Sequence, residues 1–137
     1  MSKPIPPISK YMTTTPVTIT GDTTLAEAAE IMRKHAIRHL PVVDEGKLLG
    51  VLTDRDVKFV ESFSDVNPTR ITAEETMTGD PYHVTPETPL DEVTATMAEQ
   101  RYGSAMIMQN GHVVGIFTTV DACRCISELF ETRLRKA

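Results

Sequence analysis

Apolar and polar positions along this chain fall into blocks with two periods. Over residues 24–35, TLAEAAEIMRKH, the apolar Leu25, Ala28, Ala29 and Met32 share one helical stripe, and Glu27, Glu30, Arg33 and Lys34 face away from it. The pattern predicts an amphipathic helix, opened by a Thr24/Glu27 capping box or by Thr23 as cap. Two continuous apolar runs follow, His39 to Val43 and Leu48 to Thr53, with a turn from Asp44 to Lys47. Unbroken runs of that length predict strands covered on both faces. Asp54 to about Phe63 reads as a second helix. Thr53 is placed to cap it, and Asp54 and Asp56 fall in the first turn, where exposed amides and the helix dipole favour acids. Upstream, Pro16 to Thr20 reads as a short strand, and residues 1–10, with three prolines, as a tether or irregular arm. Residues 64–72, SDVNPTRIT, carry an Asn-Pro break and read as a linker.

The same blocks come back 65 residues later. GVLTDRDV at 50–57 is answered by GIFTTVD at 115–121, and without a gap residues 11–57 lie over residues 76–122 with 12 of 47 positions identical. An internal repeat of this kind means two copies of one supersecondary unit. In the second copy, Thr88-Pro89 predicts an N-cap followed by proline at the first helical position. Asn110-Gly111 between apolar runs predicts a tight hairpin. The last helix is expected from Thr119 to about Lys136, so each copy reads β-α-β-β-α. Met32, Met97, Met106 and Met108 lie on apolar faces and read as core filling.

Composition narrows the function. With 137 residues, 40% of them hydrophobic, the chain can build a sizeable core, and each copy alone is near the lower limit of independent stability, so a shared core is expected. A net charge of −5 argues against non-specific binding to nucleic acid or an anionic membrane. Tryptophan is absent and aromatics are 5%, which disfavours a base-stacking platform for single strands. No stretch has signal-peptide or membrane-span character, so a cytoplasmic location is expected. Cys123 and Cys125, on a helix, would point about 200° apart, which suits neither a disulfide nor a chelate. HExxH, GxSxG, P-loop and paired Cys/His spacings are missing, and His35, His39, His83 and His112 are scattered, so neither an enzyme nor a metal centre is expected.

The order and duplication of these motifs resemble a known family. Thr15-Pro16-Val17, Leu40-Pro41-Val42-Val43-Asp44 and Gly50 to Asp56, then Asp80-Pro81-Tyr82, Ala105 to Gln109 and Gly115 to Asp121, are similar to a tandem pair of cystathionine-β-synthase (CBS) domains. The resemblance spans residues 8 to about 130. It implies an α/β (α+β) fold of two β-α-β-β-α repeats packed about a pseudo-two-fold axis: repeat 1 at 8–63, linker and lead-in helix at 64–75, repeat 2 at 76–130 and a charged end at 131–137. It also implies a stand-alone regulatory sensor that binds an adenosine-containing ligand, AMP, ADP or ATP, in clefts between the repeats, with energy sensing as its theme. No cofactor is required. A homodimer and an unidentified regulated protein are the expected partners, with no nucleic acid and no membrane. The alternatives are an interaction module with vestigial clefts, or a sensor of NAD or S-adenosylmethionine.

The ligand's chemistry assigns the candidate residues. A carboxylate can accept both ribose hydroxyls, which suits Asp56 and Asp121. Thr53 and Thr118 can donate to ribose or phosphate oxygens beside positive helix N-termini. By resemblance, the cleft carrying Asp121, with Ile116 in its motif, also uses Thr15, Thr20, Ile37 and Arg38. The cleft carrying Asp56 also uses Asp80, Thr85, Tyr102 and Gly103. Arg38, His39 and Arg55 are the phosphate partners, the arginines favoured by their planar fork. Each has a plainer reading: a cation at a helix C-terminus for Arg38 and His39, a surface partner of Asp54 for Arg55, and helix capping for the Thr/Asp pairs. The second copy has Gly103, Ser104 and Val120 where the first has Arg38, His39 and Arg55, so the clefts are expected to differ.

Overall fold

The computed structural model describes residues 4–134. Among them it is a mixed α+β fold with two four-stranded sheets and five α-helices. The first copy contributes β1 (Thr13–Thr14), β2 (Ile19–Thr20), α1 (Leu25–His35), β3 (His39–Asp44), β4 (Lys47–Thr53) and α2 (Asp54–Glu61). After α3 (Ala73–Thr76), the second contributes β5 (Thr78–Gly79), β6 (His83–Val84), α4 (Leu90–Gln100), β7 (Ser104–Gln109), β8 (His112–Thr118) and α5 (Thr119–Leu129). A π-helical turn, Phe130–Leu134, extends α5, and residues 135–137 of the expected charged end lie outside the described residues.

The repeat read from the sequence is carried by the backbone. The bounds of α1 and α4, of β3 and β7 and of β4 and β8 each differ by 65. Every described residue with positive φ has a partner at the same shift: Thr15 with Asp80, Ala36 with Arg101, Glu45 with Asn110, and Gly46 with Gly111. The last two pairs are the two-residue hairpin loops, in which both residues take the left-handed conformation that matches strand twist.

The chain forms two compact units, and they do not coincide with the two copies. The first unit comprises residues 16–81 and 110–113, and the second comprises residues 4–15, 82–109 and 114–134. Each copy's leading segment closes a sheet built mainly from the other copy. In the first unit the strand order is β2-β3-β4-β5, with Gly50 opposite Gly79. In the second it is β1-β8-β7-β6, with Thr13 opposite Ile116.

Of the two readings of the N-terminal arm, the second unit rules out the free tether and leaves an irregular arm that is docked. Residues 5–10 are docked: Pro7 bridges Pro89, the Leu90 amide donates to Pro6 at 2.9 Å, and Ile8 is fully buried in a 3-10 turn. This repeats the docking of Thr72 on Thr24 and of the Leu25 amide on Ile71 in the first unit. The prolines set the extended path into the dock, and the burial of Ile8 holds it there.

Several local expectations shift as well. The expected strand at Pro16–Thr20 is confined to β2, β1 and β5 are additional, and α2 ends at Glu61. Pro89 occupies the cap position of α4, so Thr88 does not cap; its hydroxyl accepts from the Thr85 amide instead. The Thr24/Glu27 capping box is formed, with Thr24 as the cap.

In place of the one shared core expected, the described residues form two: the first gathers Ile19, Leu25, Met32, Leu40, Leu52 and Val57, and the second gathers Ile8, Val93, Met97, Ala105, Ile107 and Phe117. Leu40 and Leu52 are opposite each other across β3 and β4. Their equivalents in the second core are Ala105 and Phe117, a small and a large side chain in place of two leucines.

Candidate functional site

The recurring Gly, Thr and Asp each have a local task. Thr53 and Asp56 form a capping box at the start of α2: the Asp56 amide donates to the Thr53 hydroxyl at 3.1 Å, and the Thr53 amide donates to Asp56 Oδ2 at 2.9 Å. Thr118 and Asp121 repeat it at α5, at 3.4 and 2.9 Å. Gly50 and Gly115 admit the short first strands. A Cβ on Gly50 would lie 2.5 Å from the Thr78 carbonyl oxygen, and one on Gly115 would lie 2.4 Å from Met12 Sδ.

In the first unit several candidates converge on the start of α2. The Asp54 amide donates to the Arg38 carbonyl at 2.9 Å, and His39 lies opposite Thr53 across β3 and β4. Burial lowers the His39 pKa below its ordinary value and Arg38 lowers it further, against the pull of the Asp56 carboxylate. Arg38 and Arg55 are exposed, and Ile37 packs against the first core. Asp80 follows β5 with φ 47°, and a groove of about 470 Å³ runs beside Asp56 along Phe59, Val60, Phe63 and Ile71. The Thr20 hydroxyl donates to Asp22 and pairs with that of Thr23 at 3.3 Å, closing the turn into α1.

The second unit carries the other candidates. Thr15 follows β1 with φ 49°. A β-branched residue with positive φ is an outlier, and such strain collects at functional sites. Ile116 is buried opposite Thr13, and the Thr119 amide donates to Gly103 at 3.2 Å. Thr85 pairs with Thr88, hydroxyl to hydroxyl, at 3.1 Å, as Thr20 does with Thr23. The two joint sets, Asp121 with Thr20, Ile37 and Arg38, and Asp56 with Thr85, Tyr102 and Gly103, draw on residues of both units.

One aromatic feature escapes the sequence reading. Tyr82 and Tyr102 stack with ring centroids 5.3 Å apart and planes at 25°. Their equivalents are Val17 and Ile37, so both positions become aromatic together in the second copy. That joint change was the available signal. Where Ile37 packs into the first core, Tyr102 stays exposed beside a hollow of about 190 Å³ lined by Met97, Ala98 and Ala122.

Among the described residues, no group of three or more His, Cys, Asp or Glu side chains could hold a metal ion, and no helix is long and apolar enough to cross a membrane.

Comparison with known proteins places these features in a family. The CBS domain model matches residues 8–61 and 73–128. The chain is 30% identical over 134 residues to an inosine-5'-monophosphate dehydrogenase from Korarchaeum cryptofilum, covering 97% of this chain but only 27% of that enzyme. The crystal structure of AcuB from Vibrio cholerae superposes with a TM-score of 0.86 at 27% identity, covering 98% of this chain and 99% of that one. The CBS domain pair of protein MJ0100, in complex with 5'-methylthioadenosine and S-adenosyl-L-methionine, gives a TM-score of 0.82 at 31% identity over 91% and 98% of the two chains.

Proposed function

The chain belongs to the CBS domain family and carries the domain twice; from that premise we propose that it is a non-enzymatic regulatory module binding an adenosine-containing ligand. One observation carries this reading. The MJ0100 pair, 31% identical over 91% of this chain, was solved with two adenosine-containing ligands. AMP, ADP and ATP are the first candidates, and NAD and S-adenosylmethionine the alternatives. The repeats at 8–63 and 76–130 form one sensor that reports to a regulated protein in the cytoplasm, with energy status as its theme. It acts as a homodimer.

The residues fit that chemistry. A motif carboxylate accepts from the ribose diol. Arg38, His39 and Arg55 supply positive charge for phosphates, and Thr53 or Thr118 adds a hydroxyl at a helix N-terminus. The strained Asp80 turn belongs with the first unit's candidates, and the strained Thr15 turn and the exposed Tyr102 with the second's.

Calorimetry with AMP, ADP, ATP, NAD, S-adenosylmethionine and 5'-methylthioadenosine tests the proposal. At least one should bind, and ATP should stay intact on incubation. The double variant Asp56→Ala/Asp121→Ala should lose about 1–3 kcal/mol of binding, as expected for a charged hydrogen-bond partner. A second reading, a protein-interaction module with vestigial clefts, is favoured by the exposed Phe59, Phe63, Ile126 and Phe130. It predicts no heat with any of these ligands.

A further inference from the structure

The two motif aspartates share a spacing but not a condition. Asp121 is 6% exposed, and both its oxygens are engaged. Its Oδ2 accepts from the Thr118 amide at 2.9 Å and the Thr118 hydroxyl at 3.2 Å. Its Oδ1 accepts from Arg124 Nη1 at 3.0 Å and from the Thr13 hydroxyl at a long 3.5 Å. The carboxylate therefore ties β1 to the start of α5 inside the second unit. A ribose diol would have to displace a charge-assisted bond already made, at a site with little room for water to compensate.

Asp56 is half-buried, and only its Oδ2 is engaged, by the Thr53 amide. Its Oδ1 has no hydrogen-bond partner among the described residues. The reason lies in the sequence. Arg124 is replaced by Phe59, which cannot donate, while Thr78, the counterpart of Thr13, makes no hydrogen bond to Asp56 among the described residues. Lys58, two residues on along α2, pairs with Asp54 at 3.1 Å. Asp56 also faces the groove of about 470 Å³. Arg55 adjoins Asp56 along α2 and His39 lies opposite Thr53, where the second unit has Val120 and Ser104.

We infer that ribose recognition is confined to the first unit's motif, at Asp56, and that the second unit's motif, at Asp121, is an internal lock joining β1 to α5. This rests on the nucleotide-binding reading and goes beyond it. It predicts one ligand per chain, although the motif occurs twice.

A mutant cycle with AMP and 2'-deoxy-AMP as probes tests the assignment. Asp56→Asn keeps an acceptor for the Thr53 amide, so the fold should survive, and AMP should bind about tenfold more weakly. In the parent, 2'-deoxy-AMP should be weaker than AMP; in Asp56→Asn the two should be equal, because the lost hydroxyl and the lost carboxylate are the same contact. Asp121→Asn should melt several degrees lower and keep the parent's preference for AMP. If Asp121→Asn does not fold, the stoichiometry of the parent and the Asp56→Asn cycle still decide. Two AMP per chain, or a cycle that couples at Asp121, overturns the assignment alone. No binding to the parent of AMP or any other adenosine ligand overturns the nucleotide reading, and this assignment with it.

Discussion

Gly50 lies against the Thr78 carbonyl so closely that a Cβ would come within 2.5 Å of that oxygen and 2.7 Å of Met77 Sδ. The glycine of the first motif is therefore a packing requirement of β5, before any ligand is considered. At Gly115 the obstacle is Met12 Sδ, at 2.4 Å. The two cases differ physically: a paired carbonyl cannot move, while a methionine end can change rotamer.

Gly50→Ala should therefore destabilise the protein by about 3 kcal/mol, near the upper end for overpacking, and Gly115→Ala by about 1–2 kcal/mol. Adding Met12→Ala should restore part of the loss at Gly115. Urea denaturation measures all three. Equal costs at the two glycines, with no rescue by Met12→Ala, would overturn the packing account.

Much of this architecture is legible in the sequence, for identifiable reasons. The Leu25–Met32 stripe, the Asn110-Gly111 loop and the Thr/Asp caps are local signals, each contained within a few residues, and the structure forms them. The exchange of leading strands was not legible. Thr13–Thr14 and Thr78–Gly79 are too short to carry a period, and their partners in β8 and β4 are remote in sequence. The docking of Ile8 was hidden for a similar reason, because three prolines look like a tether until a buried surface holds them. At the candidate site, Thr53 and Asp56 recur, but a capping box alone accounts for that spacing. The charge difference, Arg38, His39 and Arg55 against Gly103, Ser104 and Val120, is legible. What is not is Phe59 against Arg124, outside the motif, which leaves one oxygen of Asp56 unpaired and engages both of Asp121.

The lowered pKa of His39 gives a pH dependence with a definite sign. Burial is the main cause, and Arg38 adds to it while Asp56 opposes. The unfolded chain takes up a proton near the ordinary value of 6.5 that folded His39 resists. Its contribution to stability is therefore complete above pH 6.5 and is lost as pH falls through that value toward the folded pKa. Denaturation at pH 7.5 and pH 5.5 should show a larger loss for the parent than for His39→Gln. Identical losses would remove His39 as the cause.

Phosphate recognition predicts a ladder of affinities. If Arg38, His39 and Arg55 meet phosphate oxygens, AMP should bind more tightly than adenosine, and added salt should narrow the gap. Arg38→Ala and Arg55→Ala should bring AMP toward adenosine and leave adenosine little changed. Calorimetry at two salt concentrations measures this. Equal affinities for AMP and adenosine at both would remove the assigned role.

The last prediction concerns assembly. On α2, Phe59 is 65% exposed and Phe63, just beyond it, 48%, their rings edge to face at 5.3 Å. At α5 and its extension, Val120, Ile126, Leu129 and Phe130 are also exposed. Val57, by contrast, is buried, so the apolar side chains of α2 serve two purposes, one inside the first unit and one at its surface. Large apolar side chains clustered on helices of a small protein mark an interface, and a two-fold homodimer is the commonest way to cover one. The expected mass in solution is therefore about 30 kDa, twice the 15.2 kDa of one chain. Phe59→Glu with Ile126→Glu should shift the mass toward that of one chain without loss of helix content, because both side chains already face solvent in the single chain. Light scattering at micromolar concentration decides it: a parent mass near 15.2 kDa, with and without nucleotide, would rule the homodimer out.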